Sequence, residues 1–487
     1  MAVLGNGNAR KYFFVRMGSI MPVNYLKYPR LSEGNSATIF RLGYAMNLRF
    51  FRLEEQGATA RTEIAAGATT FLTLSYIIFV NPHILGAAGM DTGAVFVATC
   101  LASAIACLAM GLYANYPFAL APGMGINAYF TYDVVMGMGL PWQTALGAVF
   151  LAGVLFLLLT LSQARQWIID SIPKSQKMAI SAGIGLFLVL IALENAGIIT
   201  ASTETLVTLG DLGAPAALLA VAGFLVMAAL DSRGVPGAIL AAILGVTVAG
   251  IALGVTQPPP DGLQDGFGGG FRGVFSMPPS LAPTAMEMDI LGAFDVGLAA
   301  VVLAFLFVLI FDATGSLIGL ANRARFLDEH GNLPRMRQAL MVDSAATLVS
   351  SALGTSPTTV YIESATGIKA EGRTGLTAVT VGGLFLLALF LSPLAETIPV
   401  YATAPALLFV GCMMVHALTE VDWDDVTEYA PAVITATAMP LTFSITGGIG
   451  FGFIAYAAIK ILSGRRREAS PAMIVLAAAF VLKFAFL

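Results

Sequence analysis

"GTSPTTVYIESATGI", residues 354–368, decides how this chain is read. Thr358, Thr359, Val360, Tyr361 and Ile362 make a β-prone run, and Glu363 then puts a carboxylate at the mouth of a short apolar helix. "ALAPGMGINAYF", residues 119–130, has the same plan: a proline and an extended stretch before a truncated helix. Neither helix is long enough to cross a bilayer, although both stand among stretches that are. A broken helix exposes backbone donors that lipid cannot satisfy, so two of them at matching places predict a polar site at the membrane midplane. Helix N-termini meeting there from opposite faces would carry partial positive charge, and the extended residues before them could pair as two short strands.

The surrounding composition is that of a polytopic membrane protein embedded in the lipid bilayer. Of 487 residues 57% are hydrophobic and 11% charged, against about 25% charged in soluble domains. Apolar stretches fall near 64–84, 94–114, 123–137, 142–162, 174–193, 215–231, 235–254, 297–321, 337–354, 363–372, 375–392, 400–418, 430–446 and 447–463. A further one lies at 471–487, beyond a basic turn, so that 464–487 forms a C-terminal appendage. Residues 1–63 read as a cytoplasmic N-terminal extension; Met46 opens a natural start, "MNLRFFRLEEQGATARTE", which would make 1–45 an upstream addition.

Threading the chain from a cytoplasmic N-terminus puts Arg165, Lys174, Lys177, Arg233, Arg323, Arg325, Arg335, Arg337, Lys369, Arg373 and Arg465–Arg467 on one side. The opposite loops hold only Arg272, an asymmetry that predicts a multi-pass protein of the inner (plasma) membrane in this orientation. The linker 255–296, with "QPPPDGLQDGFGGGF", then divides a first repeat, 64–254, from a second, 297–463. Seven segments in each half force the second to start on the opposite face, which makes an inverted repeat. Weak similarity between "IPKSQKMAISAGIGLFLVLIALE" from Ile172 and "IPVYATAPALLFVGCMMVHALTE" from Ile398 supports it, with Glu194 and Glu420 in register.

Several function classes drop out. No metal cluster, nucleophile–base pair or phosphate-binding loop is visible, so neither an enzyme nor a cofactor is expected. No nucleic-acid footprint appears, and no nucleotide-binding domain is present to drive transport. Cys100, Cys107 and Cys412 read as small buried hydrophobes without a disulfide, and His83, His330 and His416 are isolated. Midplane acids beside broken helices suit a closed binding site better than a channel.

Asp312 lies about fifteen residues into a helix that otherwise reads "VVLAFLFVLIF", near mid-depth at about 1.5 Å per residue. A carboxylate there costs at least ~2.5–3.5 kcal/mol, so its default reading is functional. Thr69 and Thr70 of the first segment are candidates for the cavity wall.

"GATTFLTLSYIIFVNP", "ALAPGMGINAYF", "FDATGSLIGLANRA" and "PTTVYIESATGI" together resemble the AzgA-like purine permeases of the nucleobase-cation symporter-2, or nucleobase-ascorbate transporter, superfamily, over residues 63–487. The resemblance implies an all-α fold of fourteen segments in a 7+7 inverted repeat. Segments three and ten would be half-helices preceded by short strands. It implies a core from 64–162 and 297–392, a gate from 174–254 and 400–463, and proton-coupled import with the core sliding past the gate like an elevator. Superfamily members often dimerise through the gate, so a homodimer is expected.

Carried over by position, Asp312 and Glu363 match the acids that contact the base. Tyr361 and Ile362 match the strand residues beside it, and Gly125 and Asn127 match third-segment positions implicated in purine recognition. Ser364 stands where Asn is common in the wider superfamily, which fits the AzgA-like branch and weakens inference from uracil or xanthine relatives.

Two carboxylates, with no cation in the membrane interior to offset them, would repel small anions. A neutral purine offers N–H donors to carboxylates and acceptors to backbone N–H groups, and Phe71, Phe118 or Tyr361 could stack on it. Adenine, guanine or hypoxanthine is the expected substrate, with another nucleobase (uracil or xanthine) or a small anion as the alternative. Burial disfavours the charged form of either acid, and the helix N-terminus favours it at Glu363. One of the two, Asp312 first, is therefore expected to carry the symported proton.

Overall fold

The computed structural model describes residues 50–162, 172–203, 205–256, 273–294, 299–328 and 333–486. The proposed extension 1–45, residues 257–272 and 295–296 of the 255–296 linker, Arg165 and His330 lie outside the described residues. In the first half, Ala60–Leu74 (α1) and Ile77–Ala87 (α2) form one broken span. Thr92–Ala109 (α3) runs on as a π-helical turn over Met110–Ala114 and is followed by the strand Leu120–Pro122 (β1). Met124–Ala128 (α4) continues as a π-helix over Tyr129–Gly137, and Trp142–Leu161 (α5), Lys174–Asn195 (α6), Pro215–Ser232 (α7) and Ala238–Ala252 (α8) complete this half. A hairpin, Ile199–Ser202 (β2) with the exposed Leu206–Leu209 (β3), joins α6 to α7 in a stretch not read as strand from the sequence.

The second half repeats the plan with Ala299–Ala324 (α9), Met336–Leu353 (α10), Thr358–Val360 (β4), Ser364–Lys369 (α11) and Gly375–Ala388 (α12). The short Ser392–Glu396 (α13) leads to Val400–Val415 (α14), Val426–Thr442 (α15), Ile445–Leu462 (α16) and Pro471–Phe486 (α17). Among the described residues the apolar segments of the sequence fall largely in helix, and the chain is an all-α polytopic membrane protein. Among the described residues 9 helical spans are long and apolar enough to cross a membrane. Helix α10, with 18 residues, is long enough but too polar to count, for a reason the site explains.

Packing divides the helices into two groups. In one, α12 packs on α1 and α3, and α10 on α3 and α5, so the front parts of the two halves interleave. In the other, α14 and α15 pack on α6, α16 on α15, and α14 on α7 and α8. Backbones touch at the crossings: a Cβ on Gly375 would sit 2.0 Å from the Gly111 carbonyl oxygen, and one on Gly185 2.7 Å from that of Gly411. Only glycine allows helices that close, and close approach is what drives association where lipid removes the hydrophobic advantage.

Buried charges cap helices. Glu63, fully buried, accepts from the Arg373 N–H (2.8 Å), the Thr374 N–H (3.2 Å) and the Thr377 hydroxyl (2.6 Å), satisfying the free donors at the start of α12. Asp133 does the same for α16, accepting from the Ile445 N–H at 2.7 Å and the Ser444 hydroxyl at 3.2 Å. Lys460 of α16 is fully buried, but Glu428 and Glu468, each at 2.7 Å, neutralise it, so it offers no charge to a ligand.

Candidate functional site

The two extended stretches meet as an antiparallel pair, Leu120 opposite Val360, Ala121 opposite Thr359 and Pro122 opposite Thr358. The Tyr361 N–H bonds the Ala119 carbonyl and the Gly123 N–H the Pro357 carbonyl, both at 2.9 Å, extending the pairing at each end. A two-stranded sheet has two open edges, which apolar surroundings do not tolerate. Helix α10 closes one. Its Asp343, Thr347 and Ser350, one helical face at i, i+4 and i+7, bond the Val360 N–H (3.1 Å), the Thr358 carbonyl (3.4 Å) and the Thr358 N–H (3.2 Å). Cys107 of α3 serves the other edge, its sulfur 3.2 Å from both the N–H and the carbonyl oxygen of Leu120. That face is why α10 is polar, and it gives Cys107 a role beyond filling space.

The pairing fixes the predicted acids. Glu363 follows the strand directly, at the residue before α11, and is 7% exposed. Its Oε1 accepts from the Tyr76 hydroxyl at 2.9 Å, a buried bond that crosses the two halves. Asp312, half-buried on α9, faces Thr359 and lies within electrostatic reach of Glu363 and Tyr361. The buried Thr359 hydroxyl is the polar group that faces the Asp312 carboxylate, and it has no other hydrogen-bond partner among the described residues. A carboxylate faced by a single hydroxyl keeps most of its acceptor capacity, which marks where a ligand with N–H donors would be received.

The other predicted positions divide. Tyr361 is buried beside Glu363, with its hydroxyl donating to the Pro122 carbonyl at 2.5 Å across the strand pair. The strand stops at Val360, because Glu363 and Ser364 already turn into α11, so Ile362 lies outside it and is 43% exposed. Ser364 accepts from the Ala119 N–H at 2.9 Å and thereby ties the two halves. Asn127 is fully buried in a polar knot, accepting from Ser356 at 2.5 Å, while Asn81 bonds Ser356, Thr99 and Thr355. Gly125 faces the other helix group: a Cβ there would meet Ile184 Cγ2 at 2.4 Å.

Thr70 turns its hydroxyl back to the Ala66 carbonyl and packs on Gly367 of α11, where a Cβ would come within 2.0 Å of its oxygen. Of the candidate stacking rings, Phe118 is fully buried against Tyr116 (5.0 Å between centroids) and Phe71 sits edge-on to Phe385 (5.2 Å). Helix α11 has only 6 residues, so the half-helix dipole invoked from the sequence is short, and the side chains Tyr76, Thr359 and Tyr361 supply more of the site. Tyr76 and Thr359 were not singled out beforehand. Asp343 could have been, by the same intramembrane-carboxylate rule that found Asp312.

Fold and site together define a membrane permease built on crossed half-helices. The family model Xan_ur_permease, described as Permease family, matches residues 61–451. The adenine permease AdeP of Escherichia coli (strain K12) is 49% identical over 445 residues, covering 91% of this chain and 97% of that protein. The guanine/hypoxanthine permease PbuG of Bacillus subtilis (strain 168) is 42% identical, covering 90% and 99%. Among solved structures, the transmembrane domain of the cyanobacterial bicarbonate transporter BicA matches with a TM-score of 0.57 at 17% identity, covering 80% of this chain and 97% of that one. The murine anion transporter Slc26a9 matches at 0.60 and 10%, covering 90% and 77%; both share the inverted-repeat fold. The chain belongs to this permease family, within the AzgA-like purine permeases of the nucleobase-cation symporter-2 superfamily. It is a transporter, not an enzyme.

Proposed function

We propose that this transporter imports purine nucleobases, adenine, guanine or hypoxanthine, by proton symport. The observation that carries the reading is the Asp312 carboxylate, faced among the described residues by the Thr359 hydroxyl and within electrostatic reach of the Tyr76-held Glu363. A purine ring N–H donates to one carboxylate and an exocyclic or second ring N–H to the other, while the Thr359 hydroxyl donates to a ring nitrogen or carbonyl. Two carboxylates count against the small-anion alternative, although the bicarbonate transporter BicA and the anion transporter Slc26a9 share the fold. The substrates named for AdeP and PbuG support a purine.

Coupling follows from charge. Asp312 is faced by the Thr359 hydroxyl alone, whereas Glu363 is held by Tyr76 at the mouth of α11, so Asp312 is the acid we assign to the proton and Glu363 the one we assign to the base. In this reading the group carrying both acids is the core, the group of α6–α8 and α14–α16 is the gate, and the core moves past the gate between the two faces of the plasma membrane. The N-terminus is cytoplasmic. A homodimer through the gate belongs to the same reading.

Radiolabelled uptake of the three bases in a purine-transport-deficient strain tests it. A protonophore should abolish accumulation of at least one base, and Asp312→Asn should remove both accumulation and its pH dependence. Protonophore-resistant accumulation, or an Asp312→Asn variant with an unchanged pH profile, would sink the coupling assignment.

A further inference from the structure

We propose that the cavity at the cation-bearing ends of α9 and α11 binds a phosphate-bearing anion. The cavity has a volume of about 500 Å3 and is lined by Arg323, Arg325, Ala365, Ile368, Lys369 and Arg373. That volume lies within the range of small-molecule sites, so it accommodates a phosphate ester together with an organic group. Four cations converge on it, and among the described residues none forms an ion pair. Elsewhere the buried and half-buried cations Lys460 and Arg465 are each paired with two carboxylates.

One of the four, Arg373, is held in place, and the exposed Arg323, Arg325 and Lys369 surround it. Arg373 donates through Nη1 to the Ala324 carbonyl at 3.0 Å, which fixes its guanidinium at the end of α9 and leaves its remaining donors without a protein partner among the described residues. Arg325 occupies a left-handed backbone position, φ 57°, just past the end of α9, where the Phe326 N–H turns back to the Ala321 carbonyl at 2.9 Å. Glycine is the residue that such a helix end favours. A long cation kept there against backbone preference points to a use for its guanidinium, whose planar fork matches phosphate oxygens. Charge that only sets membrane orientation has no need of that position. Ala365 and Ile368 supply an apolar wall for the organic part of the ligand.

A phosphate bridging Arg323 and Arg325 to Lys369 and Arg373 joins the ends of α9 and α11. These helices carry Asp312 and follow Glu363, so occupancy bears on the proposed site, though binding itself is independent of that function. Two sources share the chemistry: a soluble phosphate ester such as a nucleoside monophosphate, and an anionic lipid headgroup.

The test uses the full-length protein in a neutral detergent at low salt, titrated with adenosine monophosphate and, separately, with inorganic pyrophosphate. A second arm places it in nanodiscs of phosphatidylglycerol or of phosphatidylcholine. Saturable, salt-sensitive thermal stabilisation by a soluble probe supports a free phosphate ester, and stabilisation confined to phosphatidylglycerol assigns the site to a headgroup. Arg325→Gln with Lys369→Gln should weaken either effect about tenfold or more. Arg325→Gly separates binding from backbone: it should melt at a higher temperature without ligand and lose the anion response. No stabilisation by any probe, or an undiminished response in Arg325→Gly and the double variant, overturns the proposal.

Discussion

Tyr76 and Glu363 share a buried hydrogen bond across 287 residues of sequence, and each explains the other. A carboxylate in this environment needs a donor to hold one oxygen while the second stays available to ligand. Bonds to charged groups contribute about 1.5–3 kcal/mol, so Tyr76→Phe, which keeps the ring and its packing, should weaken purine binding about tenfold or more. Substrate-induced thermal shift on the purified variant checks this, and an unchanged affinity would leave Tyr76 as packing alone. The sequence singled out Glu363 because a charge in an apolar segment is conspicuous. Tyr76 was not legible in that way, since a tyrosine in a membrane helix looks the same whether its hydroxyl faces a carboxylate or a lipid headgroup. Asn127 shows the converse: its position was legible, but its bond to Ser356 makes it part of a buried knot that fixes the crossing.

At the scale of elements, the strand pair needs donors and acceptors from outside itself, and α10 and α3 provide them through Asp343, Thr347, Ser350 and Cys107. Both half-helices were legible as truncated segments with a preceding proline. That their strands pair in one register, and that α4 runs on as a π-helix, depends on neighbours no local pattern records. Gly125 of α4 carries a prediction here, because its contact is with α6 and not with the acids. A methyl group would stand 2.4 Å from Ile184 Cγ2 and wedge the two helix groups apart. Gly125→Ala should cut purine uptake severely, and Gly125→Ala with Ile184→Ala should recover much of it because the clashing methyl has gone. Failure of the double variant to recover, with uptake intact in Ile184→Ala, would return Gly125 to direct substrate contact.

Across the whole molecule, the α15–α16 end is closed by a charge network. Asp425 accepts from the Thr427 hydroxyl (2.8 Å) and N–H (2.9 Å) and pairs with Arg465 at 2.7 Å, and Arg465 also pairs with Glu468. Hydrogen bonds from Thr427 hold the Asp425 carboxyl down to about 2, and bonds from Arg465 and then Lys460 hold Glu468 down to about 2. Both carboxyls protonate at lower pH folded than unfolded, so their stabilisation is complete above about pH 5 and drains away as pH falls toward about 2. Melting temperature in detergent should fall over that window, less steeply in Arg465→Gln, whose carboxyls have lost a partner; identical profiles would show that the network carries no linked stability.

Composition, the spacing of apolar segments and the sidedness of Lys and Arg determined by themselves that this chain is a polytopic, internally repeated membrane protein with acids at broken helices. These are properties of a residue and its near neighbours in an apolar solvent, which a linear chain records. Only the tertiary structure decided which groups complete the site. Tyr76 reaches Glu363, Thr359 comes beside Asp312, Glu63 caps α12 and Asp133 caps α16 through contacts between distant segments, and burial forces each polar atom to find whatever partner the fold brings near.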